Sequence, residues 1–382
     1  MAHQASPPAT VLPGAALAVL SAVSFGIATP VVALAGRGVG PLSTAALLYL
    51  GACLSGFFQL ALRACSQLAL RAGSIHGFGL RRTHLARLAL IAFFGAAVAP
   101  TLLAWGLQRA GATTGSLLLN LEAMFTVLLA RAFYREPIGS RVIVALTLML
   151  LAGAVLAMDS AGSRGLGWSV SGALAIAAAT LAWAVDNTLT RPLSEQDPVS
   201  VVAVKATLGA GLTGALALLL RETAPRAHSA LVLLACGATG YGLSLRLYLL
   251  AQRRIGAART GSIFALAPFV GAAVAWALGA RTAGALTAVS AALFGAGVYL
   301  HLTERHRHRH VHQLLEHEHA HQHDDGHHFH VHQPPVVGWH THRHRHDRIE
   351  HDHEHAPDVH HDHDHDHGDG HDRDGGSASG PR

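Results

Sequence analysis

Lysine is nearly missing from the first three hundred residues, and acids are scarce there. Residues 1–300 hold one lysine, Lys205, and seven acids against nineteen arginines, a net charge of about +13. Only 13% of the 382 residues are charged and 6% are aromatic. So few charges leave too little polar surface to clothe soluble domains of this length. The arginines sit between apolar stretches, as orienting charges of membrane spans do, which excludes nucleic acid as a partner. Cysteine is scarce too: Cys53, Cys65 and Cys236 are odd in number and unspaced for zinc or a disulfide framework. There is no glycine loop with lysine to cradle a phosphate, no nucleophile elbow and no zinc-protease helix motif, so no enzyme is read here.

What the chain has instead is apolar length. A bilayer core of about 30 Å takes roughly 20 apolar residues of helix. Ten such runs are predicted, at about 12–35, 43–62, 88–107, 113–134, 141–158, 168–190, 198–220, 229–251, 257–279 and 283–302. They are rich in Ala, Gly and Leu, and small residues let membrane helices approach closely. Pro30, Pro100 and Pro268 fall inside spans, where freed backbone groups can line a cavity. The first run lacks the basic n-region of a signal peptide and is too long for one, so it reads as an uncleaved anchor. With the N-terminus in the cytoplasm, twelve arginines flank inside loops and six flank outside loops. That bias puts both termini inside a plasma (inner) membrane.

An internal repeat organises the spans. Gln108–Ser116 reads QRAGATTGS and Gln252–Ser262 reads QRRIGAARTGS, each opening an apolar span. The fourth span thus matches the ninth, and Glu122 falls opposite Pro268. Five spans per repeat is an odd number, so the halves lie inverted, a plan that puts a solute site near the midplane. The expected fold class is an all-α membrane protein: a short N-terminus (1–11), two inverted five-helix repeats (12–158 and 168–302), and a disordered tail (303–382).

The segment Asn120–Met158, NLEAMFTVLLARAFYREPIGSRVIVALTLMLLAGAVLAM, resembles the fourth and fifth spans of EamA-like proteins of the drug/metabolite transporter superfamily. Trp183–Gly211, with WAVDNTLTRPLSEQDP and then VKATLGAG, resembles the sixth and seventh spans of a subset of that family. The resemblance covers roughly residues 12–302. It implies ten spans, both termini inside, and movement of small metabolites or drugs, often outward. Ala123 stands where the family commonly has proline, and the tail is no part of the family pattern.

Charged side chains at mid-bilayer cost about 2.5–3.5 kcal/mol each, so each needs a reason. Glu122, beside Asn120, reads either as a cavity residue that binds a cation or proton, or as a carboxyl held by a neighbouring helix. Asp186, next to Asn187, and Lys205 lie at similar distances either side of a loop near residue 195, so they are expected to pair across adjacent helices. Arg246 in the eighth span reads as an anion-binding group or as an inner-interface residue. Trp105, Trp183 and Trp276 are taken as interfacial aromatics without chemistry.

Residues 301–382 are another polymer: 26 of the 30 histidines, eight arginines and sixteen acids. The candidate metal ligands are His306, His308, His310, His312, His317, His319, His321 and His323, then His361, His363, His365 and His367. Imidazoles with flanking carboxylates suit Ni²⁺, Co²⁺, Zn²⁺ or Cu²⁺, and they change charge between about pH 5 and 8. No histidine falls within the first nine spans, which argues against a metal ion held by imidazoles inside the membrane. No cofactor is required by this reading. The partners expected are a small-molecule substrate, the lipid bilayer and divalent ions on the tail, and a homodimer is admitted. Three readings stay open: a secondary transporter exporting a metabolite or drug-like compound, a transition-metal transporter with the tail as collector or sensor, and a membrane-anchored metal buffer.

Overall fold

The computed structural model describes the backbone of residues 8–69, 85–134, 139–164, 166–190, 198–223, 225–255, 257–280, 284–303, 306–312, 315–321, 340–346 and 349–355, with described side chains lying between 13 and 303. The chain forms two units, Met1–Glu304 and Arg305–Arg382.

Among the described residues of the first unit, nine helical spans are long and apolar enough to cross a membrane: Pro13–Ala35, Pro41–Leu62, Leu85–Ala110, Ala112–Phe133, Ser140–Asp159, Val170–Thr190, Val199–Leu219, Ala227–Gln252 and Thr260–Ala277. A tenth apolar helix, Ala285–His301, is shorter. The outer surface carries bare hydrophobics, among them Leu218 at 81% and Phe133 at 71% exposure. A water-facing protein avoids so continuous an apolar coat; hydrocarbon requires it.

The helices pair by a two-fold rule. The second span packs on the seventh and the fifth on the tenth. The third packs on the sixth and the first on the eighth; the fourth packs on the sixth and the first on the ninth. Exchanging each span with the one five places on turns every pair in this set into itself or into another member. This is the arrangement that two inverted five-helix repeats produce.

The irregularities repeat as well. The third span contains a π-helical stretch at Phe93–Val98 and the eighth contains one at Gly237–Leu243. The alignment that sets Gln108 on Gln252 also sets Phe93 on Gly237. The fourth span is broken between Ala112–Leu118 and Leu121–Tyr134, and the ninth between Ala257–Phe264 and Ala267–Ala277. At these breaks the N–H groups of Asn120 and Leu266, matched positions in the repeat, each bond back three residues, to Leu117 at 3.1 Å and Ile263 at 3.1 Å. Pro100 and Pro268 open the helical segments that follow such irregularities. At Pro268, which follows a break, the missing N–H costs little, because the first N–H groups of a helix have no intrahelical partner. At Pro100 the helix runs on unbroken, and the neighbouring Ala99 N–H bonds back to Phe94.

Small residues hold the repeats together. A Cβ at Gly51 would overlap the Leu234 carbonyl oxygen, and one at Gly237 would overlap that of Leu48, so the second and eighth spans touch backbone to backbone. Gly51→Ala is therefore expected to lower stability by about 1–3 kcal/mol through overpacking. Gly211→Ala, where a Cβ meets nothing within 4 Å, is expected to be neutral or mildly stabilising. Thermal unfolding of the detergent-solubilised protein separates the two; equal midpoints would remove the close-contact argument. At one end of the bundle Glu222, after the seventh span, caps the second. Its carboxylate accepts from the Leu42 N–H at 3.2 Å, the Ser43 N–H at 2.7 Å and the Ser43 hydroxyl at 2.8 Å. An anion at a helix N-terminus satisfies donors that the helix leaves free.

The second unit is the histidine-rich tail, which the sequence sets apart by its lack of apolar periodicity. Four strands are described in it: β1 (His306–His312), β2 (Leu315–His321), β3 (His340–His346) and β4 (Ile349–His355). They form two antiparallel two-stranded ladders, β1 with β4 and β2 with β3. The physical reason is period: His-X-His alternation repeats every two residues, as side chains do along a strand. The expectation of no apolar core stands beside this, since a two-stranded ladder is marginal in water by itself.

Candidate functional site

The break in the fourth span creates the setting for Glu122. Helix starts anew at Leu121, which places Glu122 in a first turn, where the unpaired N–H groups favour negative charge. Its carboxylate Oε1 accepts from Asn187 Nδ2 of the sixth span at 2.8 Å. Asp186, one residue earlier, is buried and forms an ion pair with Lys205 of the seventh span. Thr190 adds a longer hydroxyl bond to Asp186 Oδ1 at 3.4 Å. The pairing of Asp186 with Lys205 expected from their distances about the loop is thus formed, and Asn187, next to Asp186 in the chain, links this pair to Glu122.

A second feature joins this cluster from the third span. The π-helical stretch leaves the Gly95 carbonyl free to accept two side-chain bonds. Tyr49 donates its hydroxyl to it at 2.6 Å and Trp183 its indole N–H at 3.0 Å. A Cβ at Gly95 would overlap the Asp186 carboxylate, so glycine here lets the ion pair sit against the backbone. Four spans therefore converge: the second through Tyr49, the third through Gly95, the sixth through Trp183 and Asp186, and the seventh through Lys205. From Tyr49 an aromatic arc runs through Tyr241, Phe25, Phe264 and Tyr248, with successive ring centroids 5.7, 5.8, 5.4 and 5.1 Å apart. It gives this region apolar faces beside its charges.

Two of the expected site residues lie apart. Asn120 spends its amide on the Leu117 carbonyl at 2.9 Å, holding the helix break instead of joining Glu122. Arg246 lines a small recess with Gln59, Gly56 and Gly242. Trp183 corrects the reading of the tryptophans as interfacial. It is buried and bonded to the third span, whereas Trp276 is 55% exposed and Trp105 stacks beneath the Arg109 guanidinium at 3.5 Å. Sequence reasoning also passed over Tyr49 and Gly95. The signal available was the glycine in the apolar run FFGAAV.

At one end of the bundle a cavity of about 670 Å³ opens among the loops after the first, third and ninth spans. Its mouth holds Gly38, Gly111 and Gly279, all with positive φ, together with Arg37 and Gln108. Gln108 ties the mouth together by donating to the carbonyls of Gly36 at 3.1 Å and Val39 at 3.0 Å. Thr113 lines the cavity and its buried hydroxyl has no hydrogen-bond partner among the described residues. The volume falls in the range of small-molecule sites. The charged cluster does not line this cavity: Glu122, Asn187, Asp186 and Lys205 lie deeper along the same bundle.

Among the described side chains, no three of His, Cys, Asp and Glu come together to hold a metal ion. Of the metal candidates in the tail, His306, His308, His310, His312, His317, His319 and His321 lie on described strands. His323, His361, His363, His365 and His367 lie outside the described residues.

Inverted five-helix repeats, matched broken helices and a charged cluster inside a lipid-facing shell define a polytopic membrane protein on the plan of secondary transporters. The chain belongs to the EamA-like transporter family, whose model matches residues 12–158 and 170–303. It is 28% identical over 201 residues to an uncharacterized transporter from Methanothermobacter thermautotrophicus. That match takes in 52% of this chain and 58% of the length of that relative. A crystal structure of another protein shares the fold, with a TM-score of 0.54 at 19% identity, covering 78% of this chain and 96% of that one.

Proposed function

We propose that this protein is a secondary transporter that exports a small metabolite or drug-like organic compound across the plasma membrane, with Glu122 as the group that solute and proton satisfy in turn. One observation carries the reading. Asp186 is neutralised by Lys205, while the hydrogen-bond partner of Glu122 is the neutral amide of Asn187. A carboxylate deep in a span costs about 2.5–3.5 kcal/mol, so Glu122 gains from a cation on the solute or from a proton when the solute has left. The aromatic arc suits the apolar body of an amphiphilic amine, whose face attracts cations as well. The arginine bias supports both ends of the helical unit on the cytoplasmic side, which turns the 670 Å³ cavity outward as an exit vestibule.

A transition metal as cargo has no support in the family match or in the relative, and the cluster around Glu122 offers no imidazole. The test uses the full chain in proteoliposomes with an imposed pH gradient, and ethidium as a cationic amphiphile alongside a neutral drug-like dye. Glu122→Gln is expected to reduce gradient-driven ethidium flux to that of empty vesicles while the protein inserts and elutes as the wild type does. Unchanged flux in that variant would remove Glu122 from the mechanism. Asn187→Ala, which keeps the carboxylate but frees it, is expected to retain flux with a shifted pH dependence.

A further inference from the structure

The second unit, taken by itself, carries a pattern that the transport reading leaves unused. Residues 306–321 read HRHRHVHQLLEHEHAH and residues 340–355 read HTHRHRHDRIEHDHEH. These are one motif written twice: four alternating histidines, two residues, an aliphatic, a glutamate, and three more alternating histidines. In each copy the first half is basic and the second half acidic.

The backbone pairs the two copies head to tail. His306 stands opposite His355 and His312 opposite Ile349, and the register resumes without slipping at Leu315 opposite His346. This direction sets Arg307 against Glu354, Arg309 against Asp352, Glu318 against Arg343 and Glu316 against Arg345. Opposite charges at facing positions stabilise a ladder and like charges oppose it. A parallel pairing would set basic half on basic half. A one-residue slip would set histidines against arginines and acids and mix the two faces. Charge order thus favours the antiparallel direction, and the observed register gives every arginine of the four strands an acid to face.

The consequence falls on the other face. Side chains alternate along a strand, so one face of each ladder bears histidines at facing positions. They are His306 and His355, His308 and His353, and His310 and His351 in one ladder. In the other ladder, three further pairs run from His317 and His344 to His321 and His340. Facing positions hold their Cβ atoms about 4.5–5.5 Å apart, within the span of two imidazoles sharing one ion at about 2.0–2.1 Å per nitrogen.

We propose that the tail is a metal-folded hairpin, in which the histidine-bearing face of the paired 306–321 and 340–355 arms binds divalent transition ions across the strands and the arginine–acid face sets the register. The ion supplies the stability that a two-stranded ladder lacks, because binding to a site absent from the unfolded chain is itself folding free energy. The site is independent of the transport reading: it stands or falls on the tail, whatever the helical unit carries.

The test is a cycle of variants in the purified full-length protein, read as Zn²⁺ or Ni²⁺ bound at equilibrium dialysis. One variant changes His306, His308, His310, His317, His319 and His321 to Gln. A second changes their partners in the other arm, and a third combines both. Sites shared across the strands predict that each single-arm variant loses as many tight sites as the combined one, whatever other histidines in the tail contribute. Losses that add from the two arms would overturn the proposal, since each arm would then bind alone. Independently, Arg307→Glu with Arg309→Glu is expected to weaken Zn²⁺ binding about tenfold. Adding Asp352→Arg and Glu354→Arg should restore it. Failure of that restoration would overturn the register and with it the shared sites.

Discussion

Lys205→Met leaves the Asp186 carboxylate buried without its cation and is expected to destabilise the helical unit by about 3–5 kcal/mol. The two side chains are 18% and 5% exposed, Lys205 the more open, so the loss falls mainly on the acid. What remains to Asp186 is the longer bond from Thr190 at 3.4 Å, too weak to offset an unpaired charge. Asp186→Asn is expected to cost less, because Lys205 has a flexible stem that can carry its ammonium toward water. The double variant, Asp186→Asn with Lys205→Met, removes both charges and is expected to recover most of the loss. A buried pair replaced by neutral groups of similar volume is often close to neutral. Thermal unfolding midpoints of the four proteins in one detergent measure the coupling. A double variant no more stable than Lys205→Met would mean that the pair is not what holds these helices. Flux separates structure from transport: a stable double variant that still moves solute gives the pair a purely structural role.

The sequence made this pair legible for a reason that did not extend to its neighbours. Asp186 and Lys205 flank a short loop, and equal distance along two antiparallel helices means equal depth. For Glu122 depth was equally readable, but its partner was not. Rotation about the helix axis decides which neighbour a side chain meets, and the break at Leu119–Asn120 resets that rotation within one turn. The sequence therefore marks Asn187 as a polar site residue without marking it as the partner of Glu122, and Asn120, two residues before Glu122, serves the break. Arg246 shows the same limit, since membership of a span does not say which way a long side chain leans. The spans themselves were legible because hydrocarbon imposes length and hydropathy on every helix that crosses it. The QRAGATTGS and QRRIGAARTGS repeat carried the two-fold exchange and, unseen, the positions of the π-helical stretches. Those stretches leave no periodic signature; a glycine in an apolar run is all that marks them. In the tail, composition revealed the histidines, while the order came from pairing two segments about thirty residues apart.

Gly95 is the position where a single methyl group is expected to disturb most at once. Gly95→Ala sets a Cβ where the Asp186 carboxylate lies, so either the carboxylate moves off Lys205 or the third span moves off the sixth. Overpacking alone costs about 1–3 kcal/mol, and displacing the ion pair adds to it, so the variant is expected to unfold well below the wild type. Combining it with Asp186→Asn and Lys205→Met removes the charge penalty but not the crowding, so partial recovery identifies the carboxylate as the obstacle. The two bonds at the Gly95 carbonyl give a second reading of the same site. Tyr49→Phe and Trp183→Phe each leave the other donor in place and are expected to cost about 0.5–1.5 kcal/mol. Together they strand a carbonyl that the π-helical stretch has already released from its own helix, so the double loss should exceed the sum of the singles. Additive losses would mean that water or a shifted backbone takes up the carbonyl, and the stretch would then be a flexible joint. Excess loss makes Gly95 the point where the second, third and sixth spans are locked beside Asp186, one residue from the partner of Glu122. In that case a solute that rearranges Glu122 and Asn187 must also work against this lock.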